Sequence, residues 1–147
     1  MKAPVIKLLL IFTLTAFFVP VHGQRCTGFD KRCASAPAQF EASSLSRSVS
    51  MRKGRKVVIT QTFYGNSEYF ISVCGKNRLG NIHFRLISVD NNNTVLYDNA
   101  SDSFKDSQLF VINNTMNVRI ELSAPHYFDD SNSECAGIKI FRSKKEI

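Results

Sequence analysis

Val118-Arg119-Ile120-Glu121-Leu122 alternates apolar and charged residues without a break. Successive side chains of an extended strand point to opposite faces, so the three aliphatic residues share one face and the two charges the other. The segment reads as a strand with one buried and one solvated face, which suits an antiparallel sheet. The same pattern recurs on both sides of it. Residues 57–64 form a β-branched run that stops at Gly65-Asn66-Ser67, and residues 69–74 end at Gly75-Lys76-Asn77. Residues 82–89 place Ile82, Phe84 and Leu86 opposite His83 and Arg85. Residues 94–97 follow the turn Asp90-Asn91-Asn92-Asn93, residues 108–112 run into Asn113-Asn114, and residues 137–141 close the series. A weaker strand covers 45–51, with Leu45, Val49 and Met51 opposite Ser46, Ser48 and Ser50. No segment has a convincing helical period. About eight short strands with turns between them predict an all-β chain, a single antiparallel β-sandwich of jelly-roll type over residues 41–147.

The N-terminus predicts the compartment. Lys2 and Lys7 precede the uncharged apolar run 8–19, Pro20 breaks it, and Val21-His22-Gly23 offers small residues before Gln24. This is the layout of a cleavable secretory signal peptide over residues 1–23. The run is too short for the ~20 apolar residues that span a bilayer, so the mature chain is expected not to cross a membrane. Removing 23 of 147 residues leaves 124, enough for one domain with a real core. It also removes two lysines, lowering the formal charge from +7 to about +5, short of the density of a dedicated nucleic-acid binder. The expected location is periplasmic or extracellular.

All four cysteines, Cys26, Cys33, Cys74 and Cys135, lie in the mature region and read as a disulfide framework. Four cysteines allow three pairings. The favoured one joins Cys26 to Cys33 within a short N-terminal loop and Cys74 to Cys135 between distant strands. Residues 24–40 then form a Cys-tied leader, expected as a strap along the sandwich edge.

Tyr69-Phe70-Ile71-Ser72-Val73-Cys74-Gly75, Leu79-Gly80-Asn81-Ile82-His83-Phe84, Leu96-Tyr97-Asp98-Asn99 and Cys135-Ala136-Gly137-Ile138 together resemble a group of small exported proteins of Bacteroidetes-type bacteria. The resemblance covers roughly residues 50–141. It implies the Cys74–Cys135 bridge. More distantly the layout is similar to bacterial pre-peptidase C-terminal domains and to GOLD domains, both β-sandwiches, which implies an accessory or binding role. The shared residues are mostly core and turn positions, so they speak to fold and not to an active site.

Arg47, Arg52, Lys53, Arg55 and Lys56 surround the turn at Gly54 and are the densest charge cluster, with Lys76 and Arg78 in a later loop expected nearby. Such a cluster can draw anionic glycans, lipopolysaccharide phosphates or nucleic acid by electrostatic attraction. It can equally be a solvated turn that guards an edge strand. Aromatic residues interleaved for base stacking are missing beside it. His126, Tyr127 and Phe128, in the polar loop 125–134, are the aromatic residues least expected in the core and form a candidate ligand loop. With Tyr64 and Tyr97 they could stack on sugars, although the chain has no Trp. Asp130, Asn132 and Glu134 have the alternate spacing of the first ligands of a calcium loop. Cys135 stands where such a loop needs glycine, and no glutamate follows at its twelfth position. Asn92, Asn99 and Asn113 begin formal glycosylation sequons, read here as Asn-rich turns.

No G-x-S-x-G, H-E-x-x-H or P-loop is present, and only His83 and His126 survive removal of the leader peptide. The sequence therefore predicts a non-enzymatic accessory or binding module of the cell envelope or extracellular space, with a protein or glycan partner. It calls for no cofactor beyond that calcium candidate. The alternatives are a calcium- or glycan-binding lectin-like domain and an envelope structural protein that pairs through a strand edge.

Overall fold

The computed structural model describes residues 26–129 and 132–144. The expected signal peptide and Asp130 lie outside the described residues. Nine strands follow in order: β1 (Glu41–Ala42), β2 (Arg47–Met51), β3 (Val57–Phe63), β4 (Ser67–Gly75), β5 (His83–Ser88), β6 (Thr94–Asp98), β7 (Ser107–Ile112), β8 (Met116–Ser123) and β9 (Glu134–Lys144). Eight match the expected strands, and the ninth is the two-residue β1. Among the described residues, helix is limited to three 3-10 turns, Phe29–Arg32, Asn77–Leu79 and Asn99–Asp102.

One sheet has the order β1-β9-β4-β7, with β2 also on β9; the other is β3-β8-β5-β6. Every pairing is antiparallel. The pairs are nested: β5 with β6, β4 with β7, β3 with β8 and β2 with β9. A long hairpin rolled up in this way, alternate pairs going to opposite sheets, is the jelly roll that the strand pattern predicts.

Period-2 alternation is obeyed where it was clearest. Val118, Ile120 and Leu122 are fully buried, as are Phe84 from the neighbouring β5 and Ile71, Ile138 and Ile140 from the opposite sheet. Each such side chain stabilises the fold by about 1.5–3 kcal/mol. Phe63 stacks on Tyr69 at 4.3 Å across the two sheets, and the Tyr69 hydroxyl accepts the Tyr64 N–H at 2.9 Å. Asn99 is wholly buried and accounts for its whole amide: Oδ1 accepts the Phe84 N–H, while Nδ2 donates to the Ile82 and Lys105 carbonyls. That residue is a brace for the loop after β6 and is closed to modification.

The cysteine pairing departs from expectation. The bridges are Cys26–Cys135 and Cys33–Cys74, with Cα separations of 5.2 and 5.1 Å. The reason is register. Gly137, not Cys135, lies opposite Cys74. Diagonal partners on adjacent strands stand about 7–8 Å apart, beyond the usual reach of a disulfide. Each strand cysteine instead takes one from the leader, which is thereby stapled twice across the outer face of the β4–β9 pair and not along an edge. Its contact is close: a Cβ on Gly137 would fall 2.6 Å from the Asp30 Cα. Ser48 accepts the Asp30 N–H and donates to the Asp30 carboxylate, and Ser72 donates to the Ala34 carbonyl.

Non-reducing peptide mapping is expected to recover Cys26–Cys135 and Cys33–Cys74; a Cys26–Cys33 peptide would refute the strap. Cys33→Ala with Cys74→Ala should lower the unfolding free energy by about 2–5 kcal/mol. Gly137→Val should cost about 1–3 kcal/mol by overpacking, read by urea unfolding of the oxidised protein.

Candidate functional site

The loops that follow β2, β4, β6 and β8 gather at one end of the sandwich. Val57 pairs with Leu122 where β3 begins and β8 ends, so the turn after β2 meets the loop after β8. Gly54 makes that turn with φ 65°, a left-handed conformation natural to glycine, and the Arg55 N–H closes it onto the Arg52 carbonyl at 3.2 Å. On the facing side the Tyr127 N–H closes a turn onto the Ala124 carbonyl at 3.1 Å. Tyr127, expected outside the core, is only 3% exposed, and its hydroxyl donates to the Asn132 carbonyl. Burying Tyr127 throws the next side chain outward, leaving Phe128 69% exposed.

The turn and the loop enclose a cleft of about 320 Å³, with Lys53, Arg55 and Lys56 on one wall and Ser123, Pro125 and Phe128 on the other. Two of the sequence candidates, the basic turn and the aromatic loop, therefore meet in one place. Lys56 sits 3.4 Å from Glu121. Among the described residues no carboxylate pairs with Arg52 or Arg55. Arg47 starts β2, at the other end of the strand from this turn, and does not join them.

Lys76 and Arg78 reach the same end of the fold through the 3-10 turn after β4. Arg78 binds Asp129 at 2.7 Å and Glu134 at 3.3 Å, and Lys76 approaches Glu134 at 3.5 Å. Glu134 is thus held by two cations, and Asn132 directs its amide to the Asp129 carboxylate. Of the calcium candidates, Glu134 is engaged by these cations and Asp130 lies outside the described residues. Among the described residues, no group of three His, Cys, Asp or Glu could hold a metal ion.

A second polar cluster lies on the outer face of the β3-β8-β5-β6 sheet. His83 Nε2 meets Asp98 Oδ1 at 2.7 Å, and Ser123 Oγ lies 3.4 Å from His83 Nδ1. Phe104 stands edge-on to both His83 and His126, so the second histidine of the sequence reading packs beside the first. No local motif signals this cluster, because its members come from three separate strands. Partial burial works to raise the Asp98 pKa, but the His83 hydrogen bond, the Ala100 N–H and the charges of His83 and Arg85 outweigh it and hold the carboxyl low. Glu121 is also held low, chiefly by the Arg85 hydrogen bond and against its own burial, with help from Lys56. Burial and the Asp102 hydrogen bond push the Tyr97 hydroxyl up to about 12.

No family model matches the chain, and no curated protein matches it. Among solved structures it is similar to Aeromonas hydrophila PliG, a periplasmic lysozyme inhibitor of g-type lysozyme, with 10% sequence identity. The superposition covers 75% of this chain and 91% of that one at a TM-score of 0.42. At that distance neither residues nor ligand transfer between the two proteins.

Asp98 and Glu121 set an acid limit. A carboxyl whose folded pKa is depressed adds stability above its unfolded pKa of about 4, and that stability is lost as pH falls through the folded value. The melting temperature should hold from pH 7 to about pH 5 and fall below about pH 4. Asp98→Asn with Glu121→Gln should flatten the acid limb; an unaltered limb would show that other carboxylates control it.

Proposed function

We propose that this protein is an exported, non-enzymatic binding module that takes an anionic partner of the cell envelope or extracellular space at the loop end of its sandwich. The meeting of the basic turn with the exposed Phe128 loop in one cleft carries this reading. Arg52 and Arg55, which pair with no carboxylate among the described residues, raise the local concentration of anions, and an exposed ring beside the turn offers an apolar platform. Two disulfides support export, since such bonds persist in oxidising compartments. Among the described residues no helix is long and apolar enough to cross a membrane.

Heparin, polygalacturonate and poly-glutamate are the probes. At least one should raise the melting temperature, with the effect fading as salt rises. Arg52→Ala with Arg55→Ala, and separately Phe128→Ala, should weaken that binding roughly tenfold, about 1.4 kcal/mol, with little effect on the melt of the free protein. Indifference to all three polyanions would overturn the reading.

A second reading rests on the Asp98–His83–Ser123 line. With its proton on Nε2, His83 would present Nδ1 to the Ser123 hydroxyl, the relation of a base to a nucleophile. A hydrolase of this kind should be labelled by a fluorophosphonate at Ser123, and Ser123→Ala and His83→Ala should each abolish labelling. An unlabelled Ser123 leaves the cluster as a tether between β5, β8 and the loop after β6.

A further inference from the structure

A second cleft, of about 460 Å³, opens where the leader meets the loop after β4. Its walls carry Phe29, Arg32, Lys76, Asn77 and Arg78. The Arg32 guanidinium lies over the Phe29 ring, 5.2 Å from its centroid, which holds a cation at the wall of the cleft. No carboxylate pairs with Arg32 among the described residues. One ion pair links the loops that carry the two clefts. Phe128 belongs to the first, Arg78 to the second, and Asp129, next to Phe128 in the chain, holds Arg78 at 2.7 Å.

We infer that the two clefts are successive subsites of one cationic track that takes a linear polyanionic glycan, its anionic groups repeating along the chain. This rests on the anion-binding reading above and says what kind of anion it is. One small anion would use one cleft. Two clefts, each with a cation that pairs with no carboxylate among the described residues, favour a ligand whose charges recur. The track is lined mostly by turn and loop residues, so it offers little of the main-chain pairing by which extended peptides usually dock. Long lysine and arginine side chains beside an exposed Phe128 ring suit a sugar chain, whose charges are held by side chains alone while one sugar face meets the ring.

Size-fractionated heparin oligosaccharides, from disaccharide to decasaccharide, provide the test, with poly-glutamate of matched charge as the competing class. Two double variants separate the subsites: Lys53→Ala with Arg55→Ala in the first cleft, and Arg32→Ala with Lys76→Ala in the second. Melting curves of each free variant establish that it folds. Affinity should rise with length until both clefts are filled and then level off. Each double variant should weaken decasaccharide binding roughly five- to tenfold. The second-cleft variant should leave disaccharide binding within about twofold of the parent. If the second-cleft variant binds decasaccharide as well as the parent while the first-cleft variant does not, the track is wrong and the single cleft stands. Tighter binding of poly-glutamate than of any oligosaccharide overturns the glycan and makes the partner an acidic polypeptide. No binding by any probe removes the anion-binding reading itself.

Discussion

The register of β9 against β4 is the constraint on which the rest depends. β9 is the longest strand, and it hydrogen-bonds β4 on one flank and β1 and β2 on the other. Setting Cys74 opposite Gly137 puts Cys135 on the diagonal, out of bonding reach, and leaves a gap that only the leader can fill. The glycine admits the leader backbone, and the two bridges close over it. The same register starts β9 at Glu134 beside the end of β4, where Lys76 and Arg78 converge on that carboxylate. A slip of one residue would reverse the faces of Ile138 and Ile140 and undo the core and the strap together.

Strand identity was written into the chain because alternation is a local property. Val118 to Leu122, and the partners that face them, needed no knowledge of their neighbours. Strand count pointed to the fold class, whereas the nested strand order was not legible in the sequence. The asparagine-rich turns also read correctly in physical terms: Asn66, Asn92 and Asn93 adopt positive φ, which asparagine tolerates better than most residues.

What escaped the sequence depends on contacts between distant segments. The disulfide choice turned on a two-residue offset between strands more than 60 positions apart. Tyr127 looked exposed because its neighbours are polar, yet the turn onto Ala124 aims it at the core. Asn99 looked like a turn residue, and its burial follows from carbonyls supplied by two other segments. The cleft itself joins residues 53–56 to residues 123–128, a contact that exists only because β3 pairs with β8.

The location of the proposed binding surface follows from how the charges are distributed. On the outer face of the β8–β5 pair, Glu121 is shared by Lys56, Arg85 and Arg119, and Asp98 takes up His83, so the cations of that face are engaged within it. Charges matched within a sheet face have little left for a ligand, because a partner must first break an existing pair. At the loop end the balance differs: among the described residues Arg32, Arg52 and Arg55 pair with no carboxylate, while Glu134 and Asp129 are engaged by Lys76 and Arg78. This leaves surplus positive charge at the loop end, whose loops are fixed at their base by the ends of the strands. A rigid frame with unmatched cations on its rim pays less ordering entropy on meeting an anion than a flexible basic tail would. The physical case for recognition at this end is that difference in preorganisation together with the unmatched charge.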